Sequence, residues 1–427
     1  MSCGSRQLAA LLGPGLCLAR GGLGATPSVQ HHFIVSLWQW QRQWQQQNRT
    51  PSRRWASTAL RKRSRTAIFF PGQGVQRVGM TIPWLEAFPT TARPILEEID
   101  HILQYPLARI IADGTNADLT ATENAQPAIM ATSIMILRIL EKEFGFNTTD
   151  RVDFTLGHSL GEFAALVAGG YLRNEDALRM VHKRAQAMAR CSRRACEEGG
   201  GTYGMVAVVC EPDRLEPMIE SIHEFLGHSS IGAKVDSSAE VPTIQQVLIA
   251  NINSKNQIVL SGRIERIKTL LTHLRQFAGH DPRAITLKSE VPFHSPLMKP
   301  AVKVMRRMLD ERSDMVTYPT SIPCVSNVTA RAYRSRGELK DLLARSCAET
   351  VLWAESIRYL DQEEKVRRWI GIGPGKVGRN LVGKEVGMRG RDIVKGGGVW
   401  GISDPREIED IMRALELTEQ AAEEEEE

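Results

Sequence analysis

Thr155-Leu-Gly-His-Ser-Leu-Gly-Glu-Phe-Ala-Ala-Leu-Val-Ala-Gly169 places G-x-S-x-G between a short apolar run and an alanine- and leucine-rich one. Val152 to Leu156, apolar apart from Asp153 and Thr155, predicts a strand, and the residues after Gly161 predict a helix. A strand-to-helix junction of this kind turns sharply and holds its serine at the tip. A side chain at either glycine would collide with the neighbouring strand or helix. The hydroxyl then lies near a helix N-terminus, whose free N–H groups can stabilise a developing oxyanion. Ser159 is thus the candidate nucleophile, set against the plainer reading of a Gly-Ser turn capping an ordinary helix.

Working outward, Thr66 to Phe70 predicts a strand that runs into the turn Pro71-Gly72-Gln73-Gly74. Residues 92–112 predict mostly helix. A long apolar helix is expected from about Ile129 to Glu143, with Pro127 in its first turn. Asp176 to Arg190 predicts a basic amphipathic helix, whose charged face is expected to be mostly solvated. From Met205 to Leu287 the expected order is βαββαβ, the ferredoxin-like arrangement, interrupted by a polar loop at 227–245. α/β sequence flanks this unit on both sides, so it reads as an insertion. The expected fold is α/β: an α/β-hydrolase-like large domain with a parallel sheet (66–202 and 289–400) and an inserted ferredoxin-like domain (203–288). Residues 409–427, ending in five glutamates, read as a solvated acidic tail.

Charge is unevenly spread. Residues 1–65 hold ten Lys/Arg and no Asp/Glu, and beyond them 44 basic residues face 49 acidic ones. The chain's formal +5 therefore does not mark a nucleic-acid binder. The Arg-, Ser- and Gln-rich, acid-free leader has the composition of a mitochondrial transit peptide, and Arg53-Arg54-Trp55-Ala56-Ser57 resembles a matrix-processing site. A mitochondrial matrix location is the expectation. No run of 18 uncharged apolar residues occurs, so no membrane association is expected. The five cysteines beyond the leader lack metal or redox spacing and read as reduced thiols, mostly in the core. Sequons at Asn48, Asn147 and Asn327 carry no meaning in a chain that is not secreted.

A serine nucleophile needs a base within hydrogen-bond reach. His158 adjoins it, but consecutive residues at a sharp turn point apart. His294, between Pro292 and Pro296 on a loop leaving the inserted unit, stands out by position. Spacing alone still leaves it open to being an ordinary loop histidine.

Phe70-Pro-Gly-Gln-Gly74, Gln126-Pro127, Gly157-His-Ser-Leu-Gly-Glu162, Val291-Pro-Phe-His294 and Gly373-Pro-Gly375 occur together and in this order. From about residue 66 to 395 the chain resembles the malonyl-CoA:acyl carrier protein transacylase family, which includes the acyltransferase domains of fatty acid and polyketide synthases. The resemblance implies ping-pong transfer of a malonyl group from malonyl-CoA to the pantetheine thiol of acyl carrier protein. It makes Ser159 the nucleophile and His294 the base. It places the oxyanion against the backbone N–H groups of Gln73 and Leu160, and pairs Arg184 with the malonyl carboxylate. It implies that a backbone carbonyl near Thr350-Val-Leu-Trp353 orients His294. Asn251 or Asn253 would line the cleft, and Phe293 resembles the malonyl-selective form of its motif. Arg184 precedes Ala185 where many relatives have glycine, and Leu352 stands where bacterial relatives often have Gln or Arg. No metal or cofactor is implied, and a monomer is expected.

Three other readings compete. A serine hydrolase or thioesterase would use the same elbow. A dinucleotide binder would use Gly373-Pro-Gly375-Lys-Val-Gly378, which fits G-x-G-x-x-G, though little room is expected for the unit that should follow. A non-catalytic scaffold would have no use for the dyad and the arginine.

Overall fold

The carboxyl ends of three neighbouring parallel strands meet at one edge of a five-stranded sheet, and each runs into a tight turn. A computed structural model describes residues 64–226, 247–387 and 398–424, all within one compact unit. The leader up to residue 63, the loop 227–245 and the last three residues fall outside these.

In chain order the elements that frame the site are β1 (Arg65–Phe70), α1 (Thr122–Phe144), β2 (Phe154–Gly157), α2 (Gly161–Ala168) and α3 (Asn174–Gly199). Then come β3 (Tyr203–Val209), α4 (Leu215–Leu226), β4 (Leu248–Ser254), β5 (Gln257–Arg263), α5 (Ile264–Gln276) and β6 (Arg283–Thr286). The chain closes with α6 (Lys299–Glu311), β7 (Cys324–Val325), α7 (Trp353–Arg358), β8 (Val366–Ile372), α8 (Val377–Glu385), β9 (Gly398–Ile402) and α9 (Ile408–Glu424).

The larger sheet runs β7-β2-β1-β8-β9, and every pairing in it is parallel. Its strands are apolar on both faces, as parallel strands covered by helices must be. Phe69, Leu156, Trp353 and Trp369 pack on one side of it. β1 is the strand at which the order reverses, and open α/β sheets bind ligands in the crevice beyond the strand ends at such a point. Phe70 sits opposite Gly157 in the register, so the 71–74 turn and the serine elbow are adjacent.

The smaller sheet, β4-β5-β3-β6, is antiparallel throughout. With two helices on one face it has the ferredoxin-like order, and Val206, Val208, Ile258 and Leu260 pack against Met218, Ile222, Ile267 and Leu270. It is knitted to the larger part through Val351, whose N–H donates to Ala250 O at 2.8 Å and whose carbonyl accepts from Ile252 N–H at 3.0 Å.

Several expectations need correction. Pro127 lies inside α1, which starts at Thr122, five residues before it. Its ring therefore removes one internal hydrogen bond from a helix long and buried enough to tolerate the loss. The stretch 92–112 is mostly helix, as expected, but in two pieces, Pro89–Leu103 and Leu107–Asp113, parted where Gln104 turns left-handed ahead of Pro106. The acidic tail is not wholly solvated: α9 buries Ile408, Ile411, Met412 and Leu415. A parallel strand, β9, does follow Gly373-Pro-Gly375, so the chain has room for a βαβ unit there. The glycines of that motif are consumed by packing instead. A Cβ on Gly373 would lie 2.4 Å from Ser133 Oγ and 2.7 Å from Pro71, and one on Gly378 would press on Phe69.

Candidate active site

The elbow is built by close approach. A Cβ on Gly157 would sit 2.0 Å from the Gly161 backbone, and one on Gly161 would sit 2.5 Å from Phe70 O. With no side chain at either position, the turn closes and Ser159 is held at φ 52°, in the left-handed region. Such a conformation persists only where the surroundings enforce it.

His294 is also left-handed, at φ 55°, on the loop leading into α6. Its Nε2 lies 2.7 Å from Ser159 Oγ, and its Nδ1 lies 3.1 Å from Glu349 O. A carbonyl can only accept, so Nδ1 carries the proton and Nε2 presents its lone pair to the serine hydroxyl. The orienting carbonyl is that of Glu349, one residue before the stretch expected to supply it. The Leu352 side chain plays no part in holding the ring. His158 is elsewhere engaged: its Nε2–H donates to Asn253 Oδ1 at 2.9 Å, and its ring packs edge-on against Trp353.

Burial holds the His294 imidazole far below its usual range, down to about 3, and the neighbouring Arg184 and His158 push the same way. The base is therefore neutral throughout the physiological range. The native state refuses a proton that the unfolded chain accepts, so this group costs stability as pH falls from about 6.5 towards about 3. For kcat/KM, no acid limb centred on the ordinary histidine value of about 6.5 is expected in a pH–rate profile. A limb there that survives Glu162→Gln would contradict this assignment. The Glu162 control matters because burial raises that carboxyl to about 7, even though Tyr333 and Asn327 donate hydrogen bonds to it.

Arg184 is the buried face of the basic helix α3, 1% exposed, while its neighbour Lys183 is in solvent. Its Nη1 donates to Gln126 Oε1 at 2.7 Å and its Nη2 to Ser159 Oγ at 3.3 Å. Its Nε has no partner, and among the described residues no carboxylate forms an ion pair with it. Buried Glu162 feels its charge without forming an ion pair with it, and a guanidinium taken from water without a paired carboxylate is costly and is suited to receiving one.

The other expected residues gather around this centre. A Cβ on Gly72 would meet His158 at 2.7 Å, which fixes the Gln73 turn against the elbow. Among the described residues, nothing accepts from the backbone N–H groups of Gln73 and Leu160. Phe293 is buried beside the base. Of the two asparagines on β4, Asn253 is committed to His158, whereas Asn251 Oδ1 is buried with no partner among the described residues.

Two residues escaped sequence reasoning. Gln126 stood in a quoted motif without a role, and it holds the arginine. Asn327 appeared only as a sequon, yet it is buried and bonded to the elbow itself, with Oδ1 accepting from Ser159 N–H at 2.9 Å. No local pattern gives either one its role, because their partners lie far away in sequence. Among the described residues no cluster of His, Cys, Asp and Glu has the makings of a metal site, and no helix is long and apolar enough to cross a membrane.

Residues 68–221 match the acyl transferase domain family. The chain is 35% identical to the malonyl CoA-acyl carrier protein transacylase of Bacillus subtilis over 352 residues, 82% of this chain and 98% of that one. An acyl-carrier-protein-S-malonyltransferase from Bartonella henselae superposes with a TM-score of 0.66 at 30% identity, covering 82% of this chain and 99% of that one. A type II PKS acyl-carrier protein in complex with its malonyl-transacylase matches at 0.65 and 27%, covering 83% and 99%. With a serine–histidine dyad at the elbow and likeness running the length of these enzymes, the chain is an acyltransferase and belongs to the malonyl CoA-acyl carrier protein transacylase family.

Proposed function

We propose that this enzyme moves a malonyl group from malonyl-CoA to the pantetheine thiol of acyl carrier protein by way of a Ser159 ester. The observation that carries the substrate choice is Arg184, a buried cation beside the nucleophile with no carboxylate partner. A malonyl carboxylate supplies the missing charge, and a guanidinium grips it through paired N–H donors.

His294 Nε2 takes the Ser159 proton as Oγ attacks the thioester carbonyl. The oxyanion forms against the Gln73 and Leu160 N–H groups and collapses to the ester, and the CoA sulfur leaves with the proton from His294. In the second half the carrier thiol gives its proton to His294 and attacks the ester. Ser159 regains the proton and malonyl-S-carrier departs. Pairing of Arg184 with the malonyl carboxylate also neutralises part of the field that weakens His294. The base thus strengthens when an acyl group with its own carboxylate is bound. Phe293 crowds an α-methyl substituent, a discrimination worth about 1–3 kcal/mol per methyl.

The acid-free composition of residues 1–65 supports a mitochondrial matrix location, with the enzyme serving fatty acid synthesis there.

Exchange of Arg184 for alanine tests the carboxylate role. Malonyl transfer is expected to fall by about 10²-fold or more while acetyl transfer from acetyl-CoA rises relative to it. Intact-mass measurement of the acyl-enzyme formed from each donor gives the ratio. An unchanged malonyl-to-acetyl ratio would sink the proposal.

A further inference from the structure

We infer that Asn327 is a positioning residue for acyl transfer, fastening the Ser159 elbow and tying it to the segment that orients His294. The inference rests on the dyad and, for its malonyl readout, on the function proposed above.

Asn327 follows the edge strand β7 and is 4% exposed. Each of its polar groups bonds to a different part of the catalytic frame. Oδ1 accepts from Ser159 N–H at 2.9 Å, and Nδ2 donates to Gly157 O at 2.8 Å. Its backbone N–H donates to Glu162 Oε1 at 3.0 Å, so the turn is held both before and after the serine. Tyr333 OH donates to that same carboxylate oxygen at 2.6 Å. The Asn327 carbonyl accepts from Leu352 N–H at 2.9 Å. Leu352 belongs to the stretch that starts at Glu349, whose carbonyl holds His294 Nδ1. One residue therefore joins the nucleophile's turn to the base's support.

The chemistry of the amide is specific. Ser159 N–H can only donate and Gly157 O can only accept, so the position needs one acceptor and one donor on a short planar side chain. A carboxylate has no donor and would face the Gly157 carbonyl with charge. A protonated carboxyl has both groups and reproduces the pair. With Ser159 N–H taken by Asn327, the Leu160 N–H remains for the oxyanion, and the left-handed serine stays aligned with His294 Nε2. Asn327 touches no reacting atom and acts through Ser159.

The experiment compares wild type, Asn327→Ala and Asn327→Asp. Ser159 acylation is followed by rapid-quench intact mass with malonyl-CoA, and in parallel by the burst with p-nitrophenyl acetate, a donor with no carboxylate and no CoA. Asn327→Ala is expected to slow both acylations by about 10²-fold while KM for malonyl-CoA stays within about threefold. For Asn327→Asp, activity divided by that of wild type at the same pH is expected to rise at least about tenfold from pH 8 to about pH 5.5, as the buried carboxyl gains its proton. A purely structural role would give no such recovery. A folded Asn327→Ala protein that acylates at the wild-type rate, or an Asn327→Asp ratio flat in pH, overturns the inference. Should wild type react with the ester but never with malonyl-CoA, the substrate assignment fails while the Asn327 variants still read on the ester burst.

Discussion

Ser159→Ala protein is expected to form no covalent adduct from malonyl-CoA, and its transfer rate to fall by about 10⁴-fold or more. The loss is large because the hydroxyl is the bond-forming atom and has no substitute. His158 is turned away to Asn253, and the cysteine nearest the arginine, Cys347, is fully buried with its thiol pKa raised by that burial. The substitution is gentle on the fold. The left-handed backbone at position 159 is imposed by the Gly157–Gly161 contact and by Asn327, and both remain. Alanine therefore removes two side-chain hydrogen bonds, to His294 and from Arg184, without altering the turn. Intact mass spectrometry after incubation with malonyl-CoA is the direct measurement, with circular dichroism as the folding control. An adduct of the same mass on the variant would place the nucleophile elsewhere.

His294→Asn should retain the adduct but form it slowly, by about 10²–10⁴-fold. Asparagine is the appropriate replacement because position 294 has φ 55°, and asparagine tolerates the left-handed region better than most side chains. Without the imidazole, attack depends on the small alkoxide fraction of Ser159, so the residual rate should climb with pH where wild type is flat. Combining the change with Ser159→Ala should add almost nothing, since the two residues act as one unit. A single-turnover rate within about tenfold of wild type would remove His294 from the role of base.

Much of the architecture was legible locally. Apolar runs with turn residues at their ends located β1, β2 and the strands of the small sheet to within a few residues, though not β9, and the βαββαβ order identified the small sheet before its pairing was known. The misreadings also have local causes. α9 hides because its acidic composition masks the apolar residues that it buries on one face. Pro127 looked like a helix start because its cost in a helix interior is paid by packing that no local rule records. The G-x-G-x-x-G run fits a phosphate-binding pattern, but its glycines serve contacts with Pro71, Ser133 and Phe69.

Order along the chain was sufficient to name Ser159, to single out His294 as a candidate and to set Arg184 on a basic helix, because each lies in a motif or in a position that is itself local. The tautomer of His294, the lack of an ion-pair partner for Arg184 among the described residues, and the division of labour between Asn251 and Asn253 are three-dimensional facts. They depend on which donor faces which acceptor after the chain has folded. Asn327 is the clearest case: it grips Gly157, Ser159 and Glu162 at sequence separations of 165 to 170 positions. A hydrogen bond at that separation leaves no periodicity and no spacing in the sequence. It exists only because β7 is laid beside β2 in the sheet, which brings the end of one strand to the turn that follows the other.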